Sequence, residues 1–97
     1  MKVKVFKLLD GSELLAEQFN NYDQFYELKN PAAIVLQQTQ QGVGVALAPY
    51  MPYAEGNIRL MRSAIAAECE PNLQMTNEYN RIFGSGIQIA PAGSIRT

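Results

Sequence analysis

Apolar and polar residues alternate along most of the first two thirds of the chain, with the period of two that is typical of β-strands. The pattern predicts strands over residues 2–9, 12–19, 24–38, 43–48 and 58–68. Asp10-Gly11 is a strong hairpin signal between the first two strands. Pro31 lies inside the third and predicts an edge position, a bulge or a sharp bend there. The alanine content of residues 58–68 leaves a helix open as the alternative for the fifth.

These five short antiparallel strands, with a bend in the middle, favour a small barrel of SH3-like or OB-like type over a sandwich. After Pro71 the period becomes helical. The apolar positions that share this helical face are Met75, Tyr79, Ile82 and Phe83. Gly84 follows them as a typical helix end, so we expect a helix over about residues 71–84. Residues 87–89 predict one more short strand within a C-terminal segment, 85–97.

The length and composition fit one small folded domain over residues 1–97. The chain has 97 residues, of which 47% are hydrophobic, too many for a disordered tail. Its formal charge is −1, from 8 basic and 9 acidic residues. That balance argues against a generic polyanion binder but is compatible with base recognition by a few placed side chains.

The sequence offers little reactive chemistry. It has one cysteine, Cys69, and no histidine, so we expect no internal disulfide, no zinc site of the usual kind and no cofactor. Without histidine, a general base would have to be a carboxylate or lysine with a shifted pKa. We therefore predict a protein that is not an enzyme, has no small-molecule substrate and acts through non-covalent recognition.

The chain start, Met-Lys-Val-Lys-Val-Phe, lacks the apolar core and cleavage site of a signal peptide. No apolar run approaches the roughly 20 residues of a membrane span. We expect a cytoplasmic protein without a membrane partner.

The stretch from Tyr22 to Asn30, YDQFYELKN, resembles the Sm-like family of RNA-binding ring proteins, and its Hfq branch most closely. In that family an aromatic-Asp-Gln-Phe run opens the third strand and a Lys-Asn pair ends it, as Tyr22–Phe25 and Lys29-Asn30 do here. Downstream, Met61–Ile65 (MRSAI) stands where the family has a basic residue followed by an apolar strand. The resemblance covers roughly residues 3–68. It implies a five-stranded Sm-type barrel, here residues 2–69.

Several positions depart from the family pattern. Ala16 replaces the glycine that bends the second strand, and Ser63 replaces glycine or histidine. Glu27 stands where most Sm proteins carry the asparagine that reads a uracil edge. The predicted helix follows the barrel instead of preceding it. These departures indicate a divergent relative, such as one encoded by a phage. A phage-encoded protein would be located in the cytoplasm of the host cell.

The resemblance implies a nucleic-acid site near the pore of a ring. Its aromatic face is Phe25 in the Hfq register or Tyr26 in the Sm register, and strand alternation sends the other ring into the core. Arg62 would bind a phosphate or a base, and Ser63, the next residue, would belong to the same nucleic-acid site. Gln24 would bind a base edge with its amide. The alternatives are core packing for the aromatic residues, a solvated charge for Arg62 and a turn-capping role for Gln24.

The resemblance also implies the partners: other copies of the chain, in a ring of about five to seven subunits, and single-stranded RNA or DNA. RNA is the first expectation, with a role in RNA or DNA processing. The rival hypothesis is a structural or scaffolding barrel, for example a viral component, that mediates protein–protein assembly.

Overall fold

A computed structural model describes residues 2–84 of the chain. They form a mostly β architecture with one C-terminal helix. The strands are β1 (Lys2–Leu8), β2 (Glu13–Asn21), β3 (Phe25–Thr39), β4 (Gly42–Pro49), β5 (Ile58–Met61) and β6 (Ile65–Cys69), and the helix is α1 (Leu73–Phe83). The short strand predicted at residues 87–89 lies outside the described residues.

The six strands make one antiparallel sheet in the order β4-β3-β2-β1-β6, with β5 paired to β3 off this path. β3 is long enough to change partner along its length. Its residues 25–28 pair with β5, and its residues 32–39 pair with β4. The change falls at the predicted bend, where Asn30 has φ 50° just before Pro31.

The prediction of one strand over residues 58–68 was wrong. A 3-10 turn, Arg62–Ala64, divides this stretch into β5 and β6. The turn is needed because β5 pairs with β3 whereas β6 pairs with β1, on the other side of β2. Among residues 2–84 no ladder joins β4 or β5 to β6, so the sheet is not closed into a barrel.

The main core cluster lies on one face of the sheet. It consists of Phe6, Leu8, Leu14, Ala16, Tyr26, Leu28 and Leu60. Leu15, Ala32 and Tyr79 are also fully buried but lie outside this cluster. The rings of Phe6 and Tyr26 pack at its centre with their centroids 5.0 Å apart. Lys4 shares the strand face of Phe6, and its ammonium group reaches the core edge, where it pairs with Glu68.

Helix α1 packs over the bend in β3. Asn72 caps its start by accepting a hydrogen bond from the Met75 amide at 2.9 Å, and Gly84 ends it in a left-handed conformation. Tyr79 is fully buried, and its hydroxyl donates to the carbonyl oxygens of Lys29 and Asn30 at 3.0 and 2.8 Å. Burial raises the pKa of Tyr79, which keeps this hydroxyl protonated as a donor.

Beyond the bend, residues 33–48 of β3 and β4 form a hairpin, which we call the apolar hairpin. Paired residues such as Leu36 and Val45 share one face of it. Leu36 is 68% exposed and Val43 is 67% exposed. Val35, on the opposite face, is 41% exposed, so neither face of this hairpin is fully covered.

Candidate nucleic-acid interface

A row of polar side chains crosses the sheet on the face opposite the core. Glu27 is directly opposite Asn20 of β2 on one side and Arg59 of β5 on the other. Tyr26 and Leu28, its neighbours along β3, point into the core. Strand alternation therefore places Glu27, and Phe25 two residues earlier, on this outer face.

These residues line an open cavity of about 230 Å³, which we call the outer-face pocket. Its lining consists of Tyr22, Phe25, Glu27, Asn57 and Arg59. The rings of Tyr22 and Phe25 meet with centroids 4.8 Å apart and planes tilted by 40°. The guanidinium carbon of Arg59 lies 5.9 Å from the centre of the Phe25 ring. The pocket thus combines aromatic surface with a cation, the pairing used to bind single-stranded nucleic acid.

Glu27 is held in place by two amides. The side chain of Asn20 donates to its Oε1 at 3.1 Å, and that of Asn57 donates to its Oε2 at 3.0 Å. These hydrogen bonds, with a smaller contribution from the charge of Arg59, lower the pKa of Glu27. The carboxylate is therefore ionised at neutral pH and has a fixed orientation.

Of the two candidate aromatic residues, the structure places Phe25 at the outer face and Tyr26 in the core. Tyr26 is only 4% exposed, whereas Phe25 is half-buried. The Tyr26 hydroxyl donates to the Glu68 carboxylate at 2.7 Å. Cations of Lys4 and Arg62 lie over the Tyr26 ring, so of the two rings only Phe25 has surface on the outer face that is open to a ligand.

The structure gives Arg62 several partners within the chain. Its guanidinium carbon lies 4.2 Å from the centre of the Tyr26 ring. Its Nε donates to the Tyr22 carbonyl oxygen at 2.8 Å, and another nitrogen donates to the Asn21 side chain. Arg62 therefore joins the turn after β5 to the turn between β2 and β3.

Gln24 and Ser63 flank this junction. Both are exposed, and the Gln24 carbonyl oxygen accepts a hydrogen bond from the Arg62 amide at 3.0 Å. Three of the predicted residues, Gln24, Tyr26 and Arg62, are thus in contact through Arg62 where β2 and β5 end and β3 begins, and Ser63 follows Arg62 in the chain. Phe25 belongs to the neighbouring outer-face pocket.

The sequence analysis missed Asn20, Asn57 and Arg59. Arg59 has a signal in the sequence, because alternation with Leu60 places it on the outer face of β5. Its position opposite Glu27 depends on the register between β5 and β3, which a single sequence does not contain.

Residues 2–84 show neither a cluster of metal-ligating side chains nor a membrane-spanning helix. They contain no group of three or more His, Cys, Asp or Glu side chains placed to hold a metal ion. None of the helices formed by these residues is long and apolar enough to cross a membrane.

Comparison with known proteins finds no protein-family model that matches the chain. A search of curated proteins also finds no significant match.

Proposed function

We propose that this chain is a divergent Sm-like protein that assembles into a homo-oligomeric ring and has no enzymatic activity. The ring binds single-stranded nucleic acid, and RNA is the ligand expected before DNA. The observation that carries the binding is the outer-face pocket. It offers the Phe25 ring for stacking and Arg59 for a phosphate, with Glu27 and its two amides available to a base edge.

Assembly is supported by the two edges of the sheet. Among the described residues β4 pairs only with β3, and β6 pairs only with β1. Unpaired strand edges favour pairing with another chain. Pairing β4 of one copy with β6 of the next is a head-to-tail contact, which closes into a ring when the rotation permits. A ring repeats the outer-face pocket once per subunit, so a strand that contacts several pockets gains affinity from each.

The near-neutral charge of the chain sets the expected mode of binding. Stacking on Phe25 contributes about 1–3 kcal/mol per base. Each phosphate neutralised adds only about −0.7 to the slope of log affinity against log salt. We therefore expect stacking to provide most of the affinity and the salt dependence to be weak.

Fluorescence anisotropy with labelled oligo-U, oligo-A and oligo-dT, over a salt series, tests the binding. We expect Phe25→Ala to weaken binding at least about fivefold, because it removes the stacking face. Tyr53→Ala is the control, since Tyr53 is an 82% exposed aromatic outside the outer-face pocket. A dissociation constant above about 100 μM for every oligomer at low salt would be weaker than non-specific binding and would refute the proposal.

The apolar hairpin supports a second candidate function, that of a scaffold that binds only protein. Exposed apolar surface of this kind marks protein-interaction sites. A scaffold predicts an oligomer with no affinity for any oligonucleotide, so the same anisotropy series separates the two functions.

A further inference from the structure

The residues that line the outer-face pocket favour one base over the others. The inference about this base rests on the proposed function, the binding of single-stranded nucleic acid. Glu27 is the only carboxylate that lines the pocket among the described residues. A negative charge beside a binding groove for a polyanion is costly unless the ligand offers donors to it. The chemistry of this carboxylate therefore restricts the bases that can occupy the pocket.

The two amides leave part of the carboxylate free. An ionised carboxylate has about four acceptor positions, two on each oxygen. Asn20 takes one on Oε1, and Asn57 takes one on Oε2. One acceptor position on each oxygen remains, so the group can still accept two parallel hydrogen bonds from a pair of adjacent donors. Because the amides fix its orientation, little side-chain entropy is lost when such a pair binds.

Only one of the common bases presents adjacent donors on its Watson–Crick edge. Guanine has N1–H beside its N2 amino group. In adenine and cytosine the amino group is next to a bare ring nitrogen, and in uracil N3–H lies between two carbonyl oxygens. In each of these three a lone pair would face the carboxylate. An unpaired buried acceptor of this kind opposes binding of the wrong base.

Other pocket residues complete the match to a nucleotide. Phe25 supplies a face on which the purine can stack. Arg59, opposite Glu27 on the next strand, provides the positive charge for a phosphate. An arginine side chain of a protein partner would also offer two adjacent donors to Glu27. Such a partner is less favourable than guanine, because it would place a second cation next to Arg59.

We infer that the outer-face pocket binds a guanine base of a single-stranded nucleic acid, with Glu27 accepting from N1–H and from the N2 amino group. Phe25 stacks on the guanine ring, and Arg59 pairs with a phosphate of the same strand.

Anisotropy with the full chain and labelled hexanucleotides tests this inference. Each probe is a uridine hexamer with one central G, inosine, A or C, beside the all-U parent. Two parallel hydrogen bonds to a base discriminate by about 1–3 kcal/mol, so we expect the G hexamer to bind at least about fivefold tighter than the A, C and U hexamers. Inosine keeps N1–H but lacks the amino group, so its affinity should lie between them.

Glu27→Gln is the decisive variant, because it keeps the shape but turns one acceptor into a donor. It should lose the preference for G while binding the all-U hexamer at least as well. Glu55→Gln is the control, since it removes an exposed carboxylate that does not line the pocket. Thermal unfolding of both variants checks that the fold is intact.

The outcomes separate the two proposals. Equal affinity for all the hexamers, or a G preference that survives in Glu27→Gln, would overturn the guanine inference and leave the nucleic-acid proposal standing. No binding of any hexamer would overturn both. Guanosine monophosphate is added as a competitor: if it binds as tightly as the G hexamer, the ligand is a free nucleotide and the strand part of the inference is wrong.

Discussion

Two arginines three positions apart illustrate how the environment of a residue decides its role. Arg59 is exposed and lies beside the Phe25 ring. Arg62 stacks on the Tyr26 ring and donates to the Tyr22 carbonyl oxygen. The same guanidinium group is therefore available to a ligand at one position and ties two turns together at the other.

We predict that the two alanine substitutions affect different properties, stability for Arg62 and ligand binding for Arg59. Arg62→Ala should lower the free energy of unfolding by about 2 kcal/mol, because it removes hydrogen bonds from a charged donor and the contact with Tyr26. Arg59→Ala should change it by less than about 0.5 kcal/mol but weaken oligonucleotide binding. Urea unfolding and anisotropy measure the two quantities. Equal stability of both variants would contradict the structural role of Arg62.

The pH dependence of stability should report on Glu68. Its hydrogen bonds from Lys4 and then from Tyr26 lower the pKa of its carboxyl from the ordinary 4.5. A folded-state pKa below the unfolded one adds stability above the unfolded value, and this is lost as the pH falls through the folded value. We expect Glu68→Gln to cost about 1 kcal/mol at pH 7, a value reduced because the side chain is partly exposed.

Urea unfolding between pH 7 and pH 3 measures this effect. The difference between the original chain and Glu68→Gln should begin to shrink below about pH 4.5, where the carboxyl of the unfolded chain takes up a proton. It should vanish once the pH is below the lower pKa of the folded state. A difference that stays constant with pH would show that the charge of Glu68 does not stabilise the fold.

At the scale of the elements, Tyr79 is the one fully buried side chain of helix α1. The Tyr79 hydroxyl donates to two backbone oxygens at the bend of β3. Tyr79→Phe leaves the ring but removes this donor from a buried site. We predict a loss of about 1–3 kcal/mol in the free energy of unfolding.

Asn77→Ala, on an exposed position of the same helix, is the comparison and should have a smaller effect. Chemical unfolding followed by circular dichroism measures both variants. If Tyr79→Phe were no less stable than Asn77→Ala, the hydrogen bonds at the bend would not be what holds the helix.

The kind of each element could be predicted where local signals are strong. Gly84 ends the helix as expected, and the bend falls at Pro31. The division of residues 58–68 into two strands could not be predicted, because Arg62–Ala64 contains no glycine or proline. The chain turns there because β5 pairs with β3 and β6 pairs with β1. The outer-face pocket was predicted only through Phe25. Glu27 and Arg59 gain their meaning from cross-strand register, which is a tertiary property.

At the scale of the whole molecule, the apolar hairpin groups several exposed large apolar side chains: Val35, Leu36, Val43 and Val45. Leu36 should contribute to contact between copies, because it is 68% exposed and lies among other exposed apolar side chains. We predict that Leu36→Lys reduces the oligomeric mass, as measured by light scattering, without lowering the stability of the single chain.

Leu9→Lys is the matched control, since Leu9 is 70% exposed but lies outside the apolar hairpin. Its oligomeric mass should equal that of the original chain. Equal masses for all three proteins would mean that the apolar hairpin takes no part in self-association.

Native mass spectrometry of the full chain, mixed with a single-stranded hexanucleotide that contains one guanine, tests assembly and binding together. A head-to-tail ring with an outer-face pocket on every subunit predicts one closed oligomer, of about five to seven copies, that carries the oligonucleotide. A monomer without bound oligonucleotide would contradict both the ring and its ligand.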